Sequence, residues 1–222
     1  MRDYLSLSNL GKAFLIGGAA TALSLPRIVS ARFPLETYIP LTFLATTLLA
    51  QFAVAWGHKA GLRGMFPAAR PMFLGSAIAI LLACVLTPIY LRTLDPIFRK
   101  ALENASDPRL FVLRYPPSLA GKLALTLWSA SFEVLFFQAA ALAFFARLTG
   151  RLWATLLGAV LFRVLVAFLQ VSNAGVGAVA SPFILSSAAA GCVSCLIYAY
   201  AGMPAAMIFA AGQTLHLYLP AP

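Results

Sequence analysis

The sequence predicts an all-α, polytopic transmembrane helix bundle with six to seven spans, forming a single domain over residues 1–222. One observation is compositional: 62% of residues are hydrophobic and 10% charged, with a mean hydropathy of +0.91, where soluble domains hold about 45–50% and 25%. The other is arrangement. Apolar runs long enough to cross a bilayer alternate with short segments that collect Lys and Arg, the placement of residues that anchor loops at anionic headgroups. The net charge of +10 therefore implies a lipid bilayer as partner and argues against nucleic acid.

Residues 1–35 open with "MRDYLSLSNLGK", an amphipathic stretch suited to the interface, followed by the short apolar segment "AFLIGGAATALSL" from Ala13 to Leu25. The expectation is a first helix, tilted or half-inserted, with its amphipathic lead lying on the surface. Span-length runs follow at 36–56, 71–91, 119–146, 152–171, 181–201 and 203–219. The long connection, residues 92–118, mixes charges with Pro96, Pro108, Pro116 and Pro117. It reads as an extramembrane segment with one short helix near 95–105. Lys and Arg divide almost evenly between the two faces, so the positive-inside rule does not orient the bundle.

Cys84, Cys192 and Cys195 all fall inside apolar runs and lack the spacing of a disulfide framework or a zinc site. Ser187, Gly191 and Cys195 recur every four residues and form a small-residue face for helix packing. The chain has no Walker loop, dinucleotide fingerprint or H-E-x-x-H, so no cofactor is expected. The Asn104-Ala105-Ser106 sequon is short enough to arise by chance.

Two charges lie deep in apolar runs, Glu133 in "WSASFEVLFFQ" and Arg163 in "GAVLFRVLVAFLQ". The turn "RLTGR" makes their helices an antiparallel pair. From the turn centre, Glu133 lies 16 residues back and Arg163 14 residues on, so a rise of about 1.5 Å per residue puts both roughly 21–24 Å from that face. His216 follows Gly202, a second turn on the same face, by 14 residues and reaches roughly 21 Å too. Gln138 and Gln213 lie nearer the turn face and could line an approach for a substrate or partner. A Glu133–Arg163 ion pair, direct or through one water, is the plain expectation, since intramembrane charges neutralise one another. A catalytic site would use Glu133 as acid or base, His216 as its assistant and Arg163 as an electrostatic stabiliser. His58, the other histidine, belongs to the basic loop "GHKAGLRG" about 20 Å away, which disfavours a haem clamped by two histidines.

From Phe132 to Leu219 the order of segments resembles the core of the CPBP intramembrane proteases, the Abi, CAAX-protease and bacteriocin-processing group. That family carries E-E-x-x-x-R on one helix, F-x-x-x-H on a second, and a late helix with H-x-x-x-N or similar. Here "FEVLFFQAAALAFFARLTGRLWATLLGAVLF" and "LIYAYAGMPAAMIFAAGQTLHLYL" follow the segments, so the resemblance implies a CPBP-like core over 119–219. The motif residues depart from the pattern. Phe132 stands at the first glutamate, Glu133 at the second, Phe137 at the arginine, and Phe162 and Val166 at the phenylalanine and histidine of the second motif. The late histidine position falls at Ala211 or Gly212, the latter placing His216 four residues on. In the family, paired glutamates and histidines activate water, with or without a metal. One Glu and one His fall short of the three protein ligands usual for a catalytic divalent ion, and no metal is expected.

The resulting expectation is a multi-pass protein of the bacterial inner (cytoplasmic) membrane, CPBP-like in scaffold with a degenerate active site, acting as a non-proteolytic binding or assembly partner of another membrane protein. The alternatives are a divergent intramembrane peptidase using Glu133, Arg163 and His216, and a structural subunit or small carrier in a membrane complex.

Overall fold

The computed structural model describes residues 6–103, 105, 109–174 and 180–219, with the side chains of residues 173, 174 and 180 outside that description. It is all helical: α1 (Leu7–Ser30), α2 (Leu35–Trp56), α3 (Ala69–Thr93), α4 (Asp95–Glu103), α5 (Arg109–Arg114), α6 (Leu119–Thr149), α7 (Leu152–Ala174) and α8 (Ala180–Gln213). Among the described residues six helices are long and apolar enough to cross a membrane, namely α1, α2, α3, α6, α7 and α8 with its short continuation to Leu217. The chain is a multi-pass membrane protein.

The expected short first segment is a full helix. α1 takes in Lys12 and continues through Pro26, and the Ser6 hydroxyl accepts from the Asn9 amide at its N-terminus. It pairs antiparallel with α2 at backbone contact distance. A Cβ on Gly17 would lie 2.7 Å from the Thr47 Cα, and Thr46 Oγ1 lies 2.9 Å from Thr21 Oγ1 and donates to the Gly17 carbonyl at 3.0 Å. Small residues and shared hydroxyls replace the hydrophobic drive that lipid removes.

α6 and α7 are antiparallel neighbours, as their tight turn requires. Gly150, with φ 65°, ends α6, Gly158 packs against the Phe145 ring, and the Phe137 and Phe162 rings lie 6.2 Å apart.

α8 reverses at Gly202, whose φ of 77° and ψ of −171° are open only to glycine. The turn is seated on the loop before α3: the Met203 amide donates to the Met65 carbonyl at 2.8 Å. Ring contacts establish the reversal. Phe183 meets Phe98, Phe98 meets Tyr90 and Tyr90 meets His216, with centroids 5.5, 6.1 and 4.7 Å apart. The two ends of this element are thus neighbours, whereas an unbroken helix would hold them about 50 Å apart. The second arm runs beside α3, with Gly75 against Ala201 and Ala205, and Gly212 against Ala83.

That second arm passes from Met203 to Leu217, which at 1.5 Å per residue is about 22 Å, short of the roughly 30 Å of a hydrocarbon core. The space beyond its end is filled by α4 and α5. The 92–118 connection therefore holds two short helices where one was expected, while the sequon at Asn104 and Ser106 lies outside the described residues.

Candidate functional site

The centre of α6, Ser129–Ala140, is a π-helix. Such segments are rare, usually a single turn, and frequent at functional sites. Residues five apart share a face there, and Gln138 exploits this. In the amide orientation its neighbours demand, Nε2 donates to the carbonyls of Glu133 (3.1 Å) and Val134 (3.0 Å), and Oε1 accepts from Arg163 Nη1 at 3.1 Å. Phe137 supports the same guanidinium, its ring centroid 5.1 Å from Arg163 Cζ.

The expected ion pair is not a direct one among the described residues. Among the described residues no nitrogen–oxygen contact within 4.0 Å joins Glu133 to Arg163. The direct partner of Arg163 is Gln138, five residues beyond Glu133 on the π segment. Glu133 still acts on Arg163 through space, as it does on Arg27 of α1 and, behind Tyr90 and Tyr115, on Arg114 of α5. One carboxylate faces three guanidiniums.

Glu133, Arg163, Gln213 and His216 nevertheless share one chamber, a cavity of about 360 Å³ whose wall also includes Arg114, Phe137, Val166 and Ser187. The expected layer of ionisable groups is therefore a cavity lining. Gln138 is buried beside the chamber and belongs to its framework. Of the small-residue face, Ser187 lines the chamber, Cys195 is buried, and Gly191 admits the Arg163 side chain, whose Cδ would lie 3.0 Å from a Cβ there. Phe132 lies apart from these contacts, stacked on Trp128 at 4.3 Å. His58 sits over Gly64 at the turn face.

Next to His216, whose ring lies 6.3 Å from that of Tyr115, is a polar knot. Asp95, almost fully buried, accepts from Arg99 Nε at 2.6 Å and from the Tyr115 hydroxyl at 2.9 Å, and the Arg99 guanidinium lies 4.3 Å over the Tyr115 ring. Burial, then the neighbouring Tyr90 phenol, pushes the Tyr115 phenol up, an effect that outweighs Arg114 and keeps Tyr115 a donor. Arg114, one residue before, is exposed by surface area and is one of the residues that line the chamber. Burial opposes its charge, but Tyr90, Tyr115 and Glu133 outweigh burial and hold it above its ordinary value. Arg27 donates to the Leu113 carbonyl, fixing the backbone that carries Arg114.

His216 rests on the 3₁₀ turn Leu215–Leu217. Its Nδ1 lies 2.8 Å from the Gln213 carbonyl, which can only accept, so Nδ1 carries the proton. Nε2 is buried without a hydrogen-bond partner. In the neutral ring it is an unused acceptor.

Among the described residues no three His, Cys, Asp or Glu side chains converge as a metal site requires. Glu133 and His216 are the acidic and imidazole groups lining the chamber, and Arg114 and Arg163 oppose a cation beside them. The residues present do not fit a catalytic divalent ion.

Sequence reasoning did not single out Arg114 and Arg27. Both sit at helix ends, where an arginine reads as a headgroup anchor. The available signal was the apolar setting of Arg114 in "LFVLRYPP", unusual for an exposed connection. Compared with family models, with curated proteins and with solved structures, the chain matches none.

Proposed function

We propose that this chain is a non-proteolytic binding or assembly partner of another membrane protein in the bacterial inner (cytoplasmic) membrane, CPBP-like in scaffold, with the α6–α7–α8 chamber as its binding site. The observation that carries the reading is which residues stand around the chamber. Glu133, Phe137 and Val166, at three motif positions of that family, all line it together with His216. Two of those positions carry apolar side chains, and the charge introduced nearby is arginine. A hydrolytic water needs a base and a polarising partner; this wall offers one carboxylate held among guanidiniums, an arrangement suited to holding charge.

One observation favours the rival peptidase reading: Glu133 and His216 open onto the same cavity, so a water could meet both. The two readings part in a cell that depends on this protein. Glu133→Gln removes the charge and keeps the shape. As a binding protein, the variant loses function only as far as it loses stability, and a second change that removes a nearby positive charge restores both. As a peptidase, it stays folded, leaves its substrate uncleaved, and is not rescued.

A further inference from the structure

The chamber is charge-imbalanced in a way the protein does not resolve. Arg27, Arg114 and Arg163 face Glu133, while Asp95 is already committed to Arg99 and Tyr115. On the chamber wall itself two guanidiniums, Arg114 and Arg163, stand against one carboxylate, Glu133, a surplus of positive charge that draws in a counter-charge. The two guanidiniums arrive from different helices.

We propose that the chamber binds the phosphate group of an anionic amphiphile, with Arg114 and Arg163 as counter-charges and His216 Nε2 accepting a headgroup hydroxyl. Phosphate, with several oxygens spread around one centre, can be gripped by two guanidiniums from separate directions. His216 supplies the second, independent sign of a ligand. It is 4% exposed and is one of the residues that line the chamber, and its Nε2 is buried without a hydrogen-bond partner. An acceptor beside an anion site selects a ligand that carries its own O–H. The volume of about 360 Å³ lies within the range of small-molecule pockets, about 300–1,000 Å³, and exceeds what a phosphate alone fills. The remaining wall mixes hydroxyl and amide side chains with an apolar part that includes Leu86, Ile89, Phe137 and Phe183. Leu86 and Ile89 also count among the exposed residues of α3, so the apolar wall reaches the lipid-facing side. Arg114 comes from the connection outside the spans, setting the phosphate at headgroup level with acyl chains directed inward.

This inference rests on the binding reading only in using the chamber as a receptor, and its test is separate. The purified full-length protein is titrated in detergent with phosphatidylglycerol or phosphatidylcholine, and binding is read by native mass spectrometry and by the thermal midpoint. Phosphatidylglycerol is expected to bind at least tenfold tighter than phosphatidylcholine and to raise the midpoint. Arg114→Met and Arg163→Met should each weaken it tenfold or more, whereas Arg63→Gln and Arg70→Gln at the opposite end should change nothing. His216→Phe should abolish the preference for phosphatidylglycerol over phosphatidylmethanol, whose headgroup lacks a hydroxyl. If either methionine variant fails to fold, Arg114→Lys and Arg163→Lys keep the charge and carry the test, with a smaller loss expected. Inorganic phosphate at low millimolar concentration distinguishes the source. Full competition by it would keep the phosphate site and make free phosphate its ligand; no competition supports the lipid. Equal binding of both lipids, or wild-type binding by the arginine variants, would overturn the proposal. A stable but inactive Glu133→Gln that still binds phosphatidylglycerol would overturn the non-proteolytic reading alone.

Discussion

A single amide oxygen, that of Gln138, holds Arg163. Gln138 gives its oxygen to Arg163 and its two N–H donors to carbonyls of the π segment, so one side chain ties α7 to α6 and supports the unusual register. Replacing it by leucine keeps the volume and leaves the Arg163 contact and two carbonyls unmet. Gln138→Leu is expected to cost about 1–3 kcal/mol, seen as a lowered thermal midpoint in detergent. Glu133 and Arg163 were legible from sequence because a charge inside an apolar run is conspicuous and helical rise fixes its depth. Their partners were not. The ladder of i to i−5 bonds that brings Gln138 forward has no signature in hydropathy, and Arg114 and Arg27 look like headgroup anchors until folding places them beside Glu133.

At the level of elements, the reversal at Gly202 and the α4–α5 cap together make the chamber. The turn was readable, since Gly202 and Pro204 interrupt an otherwise continuous apolar run; the shortness of the arm that follows, and the cap that completes it, depend on packing. Any Cβ at residue 202 would meet Pro67 Cδ at 2.3 Å and the Met65 carbonyl oxygen at 2.7 Å, in a backbone region that itself costs a non-glycine residue about 1–3 kcal/mol. Gly202→Ala should therefore lower the thermal midpoint more than Gly150→Ala, where the residue has φ 65° but open space around it. In the cap, Tyr115→Phe removes one donor from buried Asp95 while Arg99 remains. A loss of about 1 kcal/mol is expected, together with faster proteolysis within residues 92–118.

At the scale of the whole molecule, helix directions assign the loops to faces. The His58–Pro67 loop, the Arg147–Arg151 turn and Gly202 share one face, joined by the Met203–Met65 hydrogen bond and by the reversals at Gly150 and Gly202. α4 and α5 lie on the other. Cysteines placed at Lys59 and Arg151 should accordingly react with a membrane-impermeant maleimide from one side, and a cysteine at Lys100 from the opposite side. Labelling of all three from the same side would break this topology. The bundle itself was legible throughout, because lipid imposes long apolar helices on any chain that crosses it; the chamber was not, because it forms where apolar runs stop short.

The central claim is that Glu133 serves charge balance around a binding chamber. Glu133→Gln leaves Arg27, Arg114 and Arg163 with no facing carboxylate, at a cost bounded by the roughly 3–5 kcal/mol of breaking a directly bonded buried pair. Arg27→Met in the same chain removes one of those charges and, with it, the hydrogen bond to the Leu113 carbonyl, while Arg114 and Arg163 keep their own side chains. The deciding measurement is the detergent thermal midpoint of wild type, Glu133→Gln, Arg27→Met and the double variant, each paired with complementation of a deletion strain. The account expects Glu133→Gln to lose stability and complementation together, and the double variant to regain much of both. Wild-type stability in Glu133→Gln, with complementation abolished and not restored in the double variant, would contradict it and make Glu133 a catalytic carboxylate.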